Sequence, residues 1–554
     1  MAKAIPRQKP APEPSGLAIL PWLEKCSLPI ALALIAIAAI RIVSTYPETS
    51  PVWDEPGHMA CGLQYLGEHV YRYESQHPPV ARVMSALGPF LSGARPLDGQ
   101  NQDLEGVAVM YKSGDPGHIL TLMRIGILPF FLLAAWVVYL WARRHFGAAT
   151  GALAAGLFTL VPTVLAHAGV ATTDMPLAAC LSAAFFAMLL WAEEPTWKHS
   201  VLFGLATGLA ATTKFTALGY FPAAAIFALL AYLVVERPSA QTIAALAKAR
   251  ALPLGVAVLT GAMLIWAVYA FTFGPVSGWN MSLPAPVFFD GVRSALHHNE
   301  TGHAAYLLGE ISNTGWWYFF PVVLAVKTPI GWAVLALLGI AICYTKRARL
   351  VYWLPIAFSL GILLPAMTSH VNIGLRHILP IFTGLAILAA IGLTYLIERI
   401  PTAKWAGLVA AVLVAWIAIS GAEAHPNYIG YFNETVGDHP ERVVLDSDFD
   451  WGQNTIQLAR RLRELGATSV AYNEFNFTSE QLMIWPGLPN VKRIDPLAPA
   501  EGWNVISPTR WMLRRYGVPS GRQPWFPYLR PEEKVGSLWL YYIQPGSVRP
   551  TPPR

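Results

Sequence analysis

Long apolar runs recur along the chain up to residue 421, and they constrain its fold more than any other feature. About 20 apolar residues are enough to cross the hydrocarbon core of a bilayer. Only 13% of the 554 residues are charged, whereas soluble proteins average about 25%. We therefore predict a polytopic, all-α membrane protein with about 11 transmembrane helices, over residues 28–46, 119–141, 149–167, 175–192, 201–216, 218–235, 252–273, 316–344, 352–368, 373–397 and 405–421.

Lysine and arginine in the short connections predict the orientation of these helices. Basic residues concentrate in cytoplasmic loops, and here they fall on alternate connections, on the same side as the N-terminus: residues 143–144, 198, 237–250, 346–349 and 399–404. We predict a multi-pass protein of the bacterial inner (plasma) membrane whose N-terminus is cytoplasmic. An odd number of helices then puts the C-terminal domain in the periplasm or outside the cell.

The positions of the apolar runs divide the chain into three predicted parts. Residues 1–27 form a cytoplasmic tail, residues 28–424 form the transmembrane domain, and residues 425–554 form an extracytoplasmic α/β domain. The two long outer loops are residues 47–118, here the first loop, and 274–315, the second loop.

Local patterns predict structure outside the membrane as well. Residues 58–67 and 80–91 alternate apolar and polar side chains at helical spacing, which predicts interfacial helices in the first loop. In the tail, an amphipathic helix is predicted over 454–465. Strands are predicted over residues 442–445, 469–472 and 535–543.

Composition excludes several function classes. The four cysteines lack CxxC spacing, which argues against a zinc ribbon or a disulfide framework. The basic residues form topology signals rather than a stripe, so we expect no nucleic-acid partner. No internal repeat is evident, which disfavours an inverted-repeat transporter.

Three carboxylates at outer helix edges are the candidate catalytic residues. Asp54 and Glu55 follow the first apolar run, where desolvation and mutual repulsion disfavour a second charge. Asp174 precedes the fourth run on the same side. Aspartates at these places could also be helix caps, although capping would explain only one acid of the adjacent pair.

Basic residues on the predicted outer side are candidate phosphate contacts. Arg72, His77 and Arg82 surround a Pro-Pro helix start, where an anion or a metal could bind. A surface turn with an exposed histidine is the alternative. Lys327 and Arg376 lie at the outer parts of later helices. They could neutralise a lipid phosphate or extend to the membrane surface.

The second loop is rich in metal-ligating residue types. His297, His298, Glu300 and His303 fit a divalent metal or phosphate site by composition. Their spacing matches no regular metal motif, and solvated or structural histidines are the alternative. A divalent metal ion is the one cofactor that the sequence suggests.

Four motifs together resemble the GT-C superfamily of membrane glycosyltransferases, in its bacterial protein-mannosyltransferase/aminoarabinose-transferase branch. They are Trp-Asp-Glu at 53–55, Gln-His-Pro-Pro at 76–79, Ala-Thr-Thr-Asp-Met-Pro at 171–176 and Gly-Leu-Arg-His-Ile-Leu-Pro at 374–380. The resemblance spans roughly residues 28–421. It implies a GT-C-like helical bundle with interfacial helices in the first loop.

The resemblance also implies roles for single residues. Asp54 would activate the acceptor with support from Glu55, and Asp174 would be a second acid on the acceptor path. His77 and Arg376 would contact the donor phosphate. Gln76 stands where relatives have a metal-binding glutamate.

The implied reaction transfers a sugar from a polyprenyl-phosphate donor to a protein, lipid or glycan acceptor, with inversion. Membrane lipid is a further expected partner. The main alternative is a lipid or small-molecule transporter or flippase, which would place ionisable groups near the bilayer midplane. A non-catalytic assembly protein, whose outer domain binds a partner, is the third reading.

Overall fold

The computed structural model describes residues 19–71, 73–97, 99, 101–472, 487–495, 497–513 and 522–546. Arg72 lies outside the described residues. The helices are α1 Ile19–Val43, α2 Asp54–Glu68, α3 Pro79–Leu91, α4 Gln102–Lys112, α5 Pro116–Phe146, α6 Ala148–Thr159, α7 Pro162–Ala168, α8 Asp174–Glu193, α9 Trp197–Ala211, α10 Ala217–Glu236, α11 Ala240–Val268, α12 Pro286–Thr301, α13 Phe319–Lys327, α14 Ile330–Thr345, α15 Leu354–Ala366, α16 Ile381–Arg399, α17 Lys404–Glu423 and α18 Thr455–Glu464. The strands are β1 Phe273–Pro275, β2 Ser282–Pro284, β3 Ala305–Leu307, β4 Glu310–Ser312, β5 Ser469–Tyr472, β6 Asn490–Lys492, β7 Gly502–Ile506, β8 Glu533–Val535 and β9 Leu538–Ile543.

The helical membrane architecture is confirmed, but the number of spans is not. Among the described residues, seven helices are long and apolar enough to cross a membrane: α1, α5, α8, α10, α11, α16 and α17. Two bent pairs, α6 with α7 (69°) and α13 with α14 (117°), bring the number to nine if each pair is one span. The other two predicted spans became α9 and α15, which have only 15 and 13 residues.

The first helix begins earlier than predicted. α1 starts at Ile19, inside the segment 1–27 that was assigned to a cytoplasmic tail. Charged Glu24 and Lys25 end the apolar run in the sequence, but they lie within the first turns of the helix and are exposed.

The bundle is built around α16, which packs against α6, α14 and α15. Small residues allow the close approach: a Cβ added at Gly392 of α16 would overlap the backbone carbonyl of Leu335 on α14. Small residues at such contacts are typical of membrane helix packing. This core holds the elements that carry the polar residues in fixed positions.

The first loop is helical, as its pattern predicted. The predicted helices over 58–67 and 80–91 correspond to α2 and α3. α3 begins at Pro79, where proline suits the first helical turn. The sequence analysis missed α4, which follows Asn101, whose side chain accepts from the amide of Asp103 at 2.8 Å.

The C-terminal region contains a five-stranded mixed sheet with strand order β6-β5-β7-β9-β8. β5 is parallel to both of its neighbours, and β9 is antiparallel to β7 and β8. Leu458 and Leu462 of α18 pack against Val505 and Leu540 of the sheet. The predicted α/β domain is therefore confirmed.

One predicted strand in this region is wrong. Residues 442–445 do not form a strand; a 3-10 turn at Pro440–Arg442 leads into a single bridge between Val444 and Leu307. Proline at the start of that turn fixes a bent backbone, so only one residue pairs with the second loop.

Candidate active site

The two predicted acids from separate helices meet at one arginine. Arg376 lies in a 3-10 turn, Leu375–Ile378, that precedes α16. Its Nη1 is 2.5 Å from Oδ2 of Asp54 and 3.6 Å from Oδ2 of Asp174. The Asp174 side chain is fully buried, whereas that of Asp54 is 24% exposed. Asp54 is therefore the acid that a bound molecule can reach.

A lysine that the sequence analysis did not select completes the cluster. Lys214 lies in the turn between α9 and α10, and its Nζ donates to Oδ1 of Asp174 at 2.5 Å. The hydroxyl of Thr172 donates to the other carboxylate oxygen of Asp174 at 3.0 Å. Lys214 is the sole charged residue between 201 and 235. Because a charge in an apolar segment is costly and usually functional, this isolation was the available signal.

Helix capping does not account for the two aspartates. The N-caps of α2 and α8 are Trp53 and Thr173, and neither helix has a side-chain capping hydrogen bond. Asp54 and Asp174 are the first helical residues, and their carboxylates point to Arg376 and Lys214 instead.

Glu55 does not belong to this cluster, although it is adjacent to Asp54. Its two carboxylate oxygens accept from Arg124 at 2.8 and 2.9 Å, and both side chains are fully buried. The amides of Val52 and Ala171 also donate to Glu55, at 2.8 and 2.7 Å. Glu55 therefore ties the segment before Asp54 to the segment before Asp174, and it supports Asp54 by position.

Two histidines, His58 and His77, lie near Asp54 and Asp174. The rings of His58 and His77 are 5.1 Å apart in an edge-on arrangement. Burial, together with the nearby positive charge of Lys214, lowers the pKa of His77 to about 4, so the ring is neutral near pH 7. Asp54 acts in the opposite direction on that pKa, which places His77 within electrostatic reach of the acid.

Arg82, another predicted phosphate contact, already has partners. It forms an ion pair with Glu74, and its Nη1 donates to the carbonyl oxygens of Glu74 and His77 at 3.2 Å. Its Nε donates to Nδ1 of His58 at 3.4 Å. Arg82 is buried, so these contacts organise the turn between α2 and α3.

Lys327 is also committed to the fold. Its buried Nζ donates to the carbonyl oxygens of Ile429 at 2.7 Å and Asp448 at 2.5 Å. It also lies 4.3 Å from the centre of the Phe432 ring. Lys327 therefore links α13 to the C-terminal region, rather than presenting a free ammonium to a phosphate.

The predicted metal ligands do not converge. His297 and Glu300 are 74% and 78% exposed on α12 and 4.0 Å apart. The rings of His298 and His303 are 5.9 Å apart. No group of three or more His, Cys, Asp or Glu side chains in the described part of the chain is arranged to hold a metal ion. Adjacent residues on a helix point about 100° apart, which separates His297 from His298.

A family match covers the middle of the bundle. Residues 120–266 match the model of the dolichyl-phosphate-mannose-protein mannosyltransferases. The matched segment is about a quarter of the chain, and it shows a similarity to this family. The similarity agrees with the resemblance expected from the sequence motifs, and the matched segment contains both Asp174 and Lys214. No curated protein matches the chain.

Several solved structures are similar to this chain at low identity. ArnT from Cupriavidus metallidurans bound to undecaprenyl phosphate is 16% identical, over 87% of this chain and 93% of that one, with a TM-score of 0.47. The oligosaccharyltransferase AglB from Archaeoglobus fulgidus, in complex with an inhibitory peptide and a dolichol-phosphate, is 13% identical over 80% and 58%, also at 0.47. The Saccharomyces cerevisiae O-mannosyltransferase complex Pmt1-Pmt2, bound to its sugar donor, is 17% identical over 44% and 33%, at 0.35.

Proposed function

We propose that this chain transfers a sugar from a polyprenyl-phosphate-linked donor to an extracytoplasmic acceptor, with inversion at the anomeric carbon. Asp54 is the base that activates the acceptor. The observation that carries the proposal is the junction of the partly exposed Asp54 with the buried Arg376, beside Asp174 and Lys214. A carboxylate that the acceptor can reach is required to remove its proton. A fixed cation is required to stabilise the negative charge of the departing phosphate.

Asp54 is paired with Arg376, whose positive charge a donor phosphate would offset. Arginine binds phosphate through charge-assisted hydrogen bonds. Arg376 also has a spare donor: its buried Nε has no hydrogen-bond partner. The phosphate thus binds Arg376 through this donor and offsets its positive charge, and Asp54 accepts the proton while the guanidinium stays in place.

The reaction is a single displacement. The acceptor nucleophile attacks the anomeric carbon while its proton passes to Asp54, and the bond from that carbon to the phosphate oxygen breaks. The electron pair leaves with the polyprenyl phosphate, whose charge is stabilised by Arg376. Lys214 holds Asp174 beside this arginine. His77 lies within electrostatic reach of both aspartates. No step is assigned to a metal, because the described residues offer no fitting ligand set.

The membrane orientation is part of the proposal. The basic connections would remain in the cytoplasm, which puts Asp54, Asp174 and Arg376 at the outer surface of the bacterial plasma membrane. Reporter fusions at residues 237–239, between α10 and α11, and in the second loop test this directly. An outward-facing connection at residues 237–239 would contradict the assignment.

The decisive experiment is transfer from a radiolabelled polyprenyl-phosphate sugar by the purified protein in lipid nanodiscs, with protein, lipid and glycan acceptors offered separately. We expect transfer by the wild type, loss of transfer in Asp54→Asn, and an inverted anomer by NMR. Asp438→Asn is the matched control, because Asp438 is exposed in the C-terminal region. Lipid movement across the membrane without transfer would favour the transporter instead.

A further inference from the structure

A stretch of the C-terminal region, residues 446–454, packs into the membrane bundle at the candidate site. We call it the inserted segment. Asp446, Asp448 and Asp450 are all buried. Asp450 accepts from the hydroxyls of Ser507 and Ser537 at 2.5 and 3.0 Å.

The inserted segment fixes the backbone that carries Arg376. Both carboxylate oxygens of Asp448 accept from the amide of Leu375, at 3.0 Å, one residue before the arginine. The hydroxyl of Ser447 donates to the carbonyl of Ile373 at 2.5 Å. Gly374 lies between these contacts with φ +150°, and a Cβ there would overlap Ser447. Only glycine permits this approach.

Trp451 contacts Arg376 and the residue that precedes Asp54. Its ring lies 4.3 Å from Cζ of Arg376, as measured to the ring centre. Its backbone carbonyl accepts from the amide of Trp53 at 3.2 Å, one residue before Asp54. Trp451 is 1% exposed, and its amide donates to Oε1 of Gln453 at 2.8 Å.

Arg376 needs such a neighbour, because its hydrogen bonds alone do not fix it. Its Nη1 has two acidic partners, at 2.5 and 3.6 Å, and its Nε has none. A guanidinium stacked on an aromatic face gains attraction without a hydrogen bond and keeps its in-plane donors free. The Trp451 ring therefore restricts the guanidinium to a plane from which it reaches Asp54 and Asp174.

We propose that Trp451 is a positioning residue of the active site, and that the inserted segment completes the site by holding Arg376 against Asp54. The inference rests on the proposed function. It adds a part of the site that lies outside the matched segment 120–266. The alternative is that Trp451 only fills the core, where it also contacts the ring of His167.

The test compares Trp451→Leu, Trp451→Phe and the control Trp525→Leu. Trp525 is equally buried, but it lies in the core of the C-terminal sheet. A cation–π contact contributes about 0.5–2 kcal/mol, so we expect Trp451→Leu to lower kcat/KM by roughly 2- to 30-fold per folded molecule. Trp451→Phe, which keeps an aromatic face, should retain most of the activity. Trp525→Leu should lower Tm without lowering the turnover of the folded fraction.

A double-mutant cycle with Arg376→Lys separates positioning from core filling. If Trp451 acts through Arg376, adding Trp451→Leu to Arg376→Lys causes little further loss. Additive losses, or an equal loss of turnover in Trp525→Leu, would overturn the inference while leaving the proposed function intact.

An inactive wild type would refute the proposed function instead, and a structural measurement would then decide the inference. Cryo-electron microscopy of Trp451→Leu should show the guanidinium displaced from Asp54. An unmoved guanidinium would refute the positioning role.

Discussion

Two arginine–carboxylate clusters lie at the same end of the bundle, and they begin at adjacent residues. Glu55 and Arg124 form a closed pair: both side chains are fully buried, and each carboxylate oxygen of Glu55 accepts a hydrogen bond from Arg124. Asp54 and Arg376 form an open pair, with a partly exposed acid and a buried Nε that lacks a partner. Direct neighbours in sequence thus have different physical environments.

The difference shows how to tell a structural ion pair from a candidate functional one. A buried pair is tolerated when every polar atom is satisfied, and the Glu55 pair meets that condition. An unsatisfied buried donor costs free energy. Its persistence beside Asp54 indicates a place that a ligand can fill.

The largest expected effect comes from Asp54→Asn. Removing a general base typically lowers the rate by about 10²–10⁴-fold, and the isosteric change leaves the fold in place. Single-turnover transfer assays at matched protein amounts measure it. Unchanged turnover would exclude Asp54 from the mechanism. It would also contradict the distinction between a functional Asp54 pair and a structural Glu55 pair.

Glu55→Gln should disrupt the Glu55–Arg124 pair and lower stability rather than turnover. Breaking a buried ion pair costs about 3–5 kcal/mol, because Arg124 would keep its charge without a carboxylate. We expect a lower Tm and yield, with near-normal turnover in the folded fraction. Glu300→Gln, at a 78% exposed side chain, is the control and should leave Tm unchanged. A wild-type Tm in Glu55→Gln would contradict the structural role.

Lys214→Met tests whether the second cation belongs to the open cluster. Hydrogen bonds to charged groups contribute about 1.5–3 kcal/mol, so we expect turnover to fall by roughly 10-fold or more. Asp174 would then compete with Asp54 for Arg376. Lys248→Met, at an exposed position in α11, is the matched control. Equal activity of the two variants would exclude Lys214 from the site.

The smallest effect concerns the pH dependence of stability in the inserted segment. Burial raises the pKa of Asp450 to about 6, despite hydrogen bonds from Ser507 and Ser537 that lower it. Because the folded pKa lies above the unfolded one, the contribution to stability is full below about pH 4 and is lost as the pH rises through 6.

Acidification from pH 7 to 5 should therefore add about 1 kcal/mol through this group. Tm measured against pH should show a gain in the wild type that Asp450→Asn lacks. The comparison isolates Asp450, because all other titrating groups are the same in the wild type and in the variant. Parallel curves would contradict the assignment.

The membrane bundle was predictable because the bilayer imposes a length and a polarity on each span. Asp54, Asp174 and Arg376 stood out for the same reason, as charges at the edges of apolar runs. Their meeting in one cluster was a hypothesis, and the structure places Nη1 of Arg376 2.5 Å from Asp54 and 3.6 Å from Asp174.

Other features could not be inferred, because they depend on contacts between distant residues. Arg124 lies inside a predicted span, and nothing local indicates that it pairs with Glu55, 69 positions away. The break between α13 and α14 turns the chain by 117° within an otherwise continuous apolar run. The stacking of Trp451 on Arg376 likewise has no local signal in the sequence.

The position of the inserted segment also has a consequence for biogenesis. A ribosome that has synthesised α1 through α17 has made both acids and Arg376, but not yet Trp451. The nascent chain can thus integrate all of its spans while the surroundings of that arginine are still incomplete. Premature termination between Glu423 and Trp451 would leave the spans in place but remove the aromatic face over Arg376.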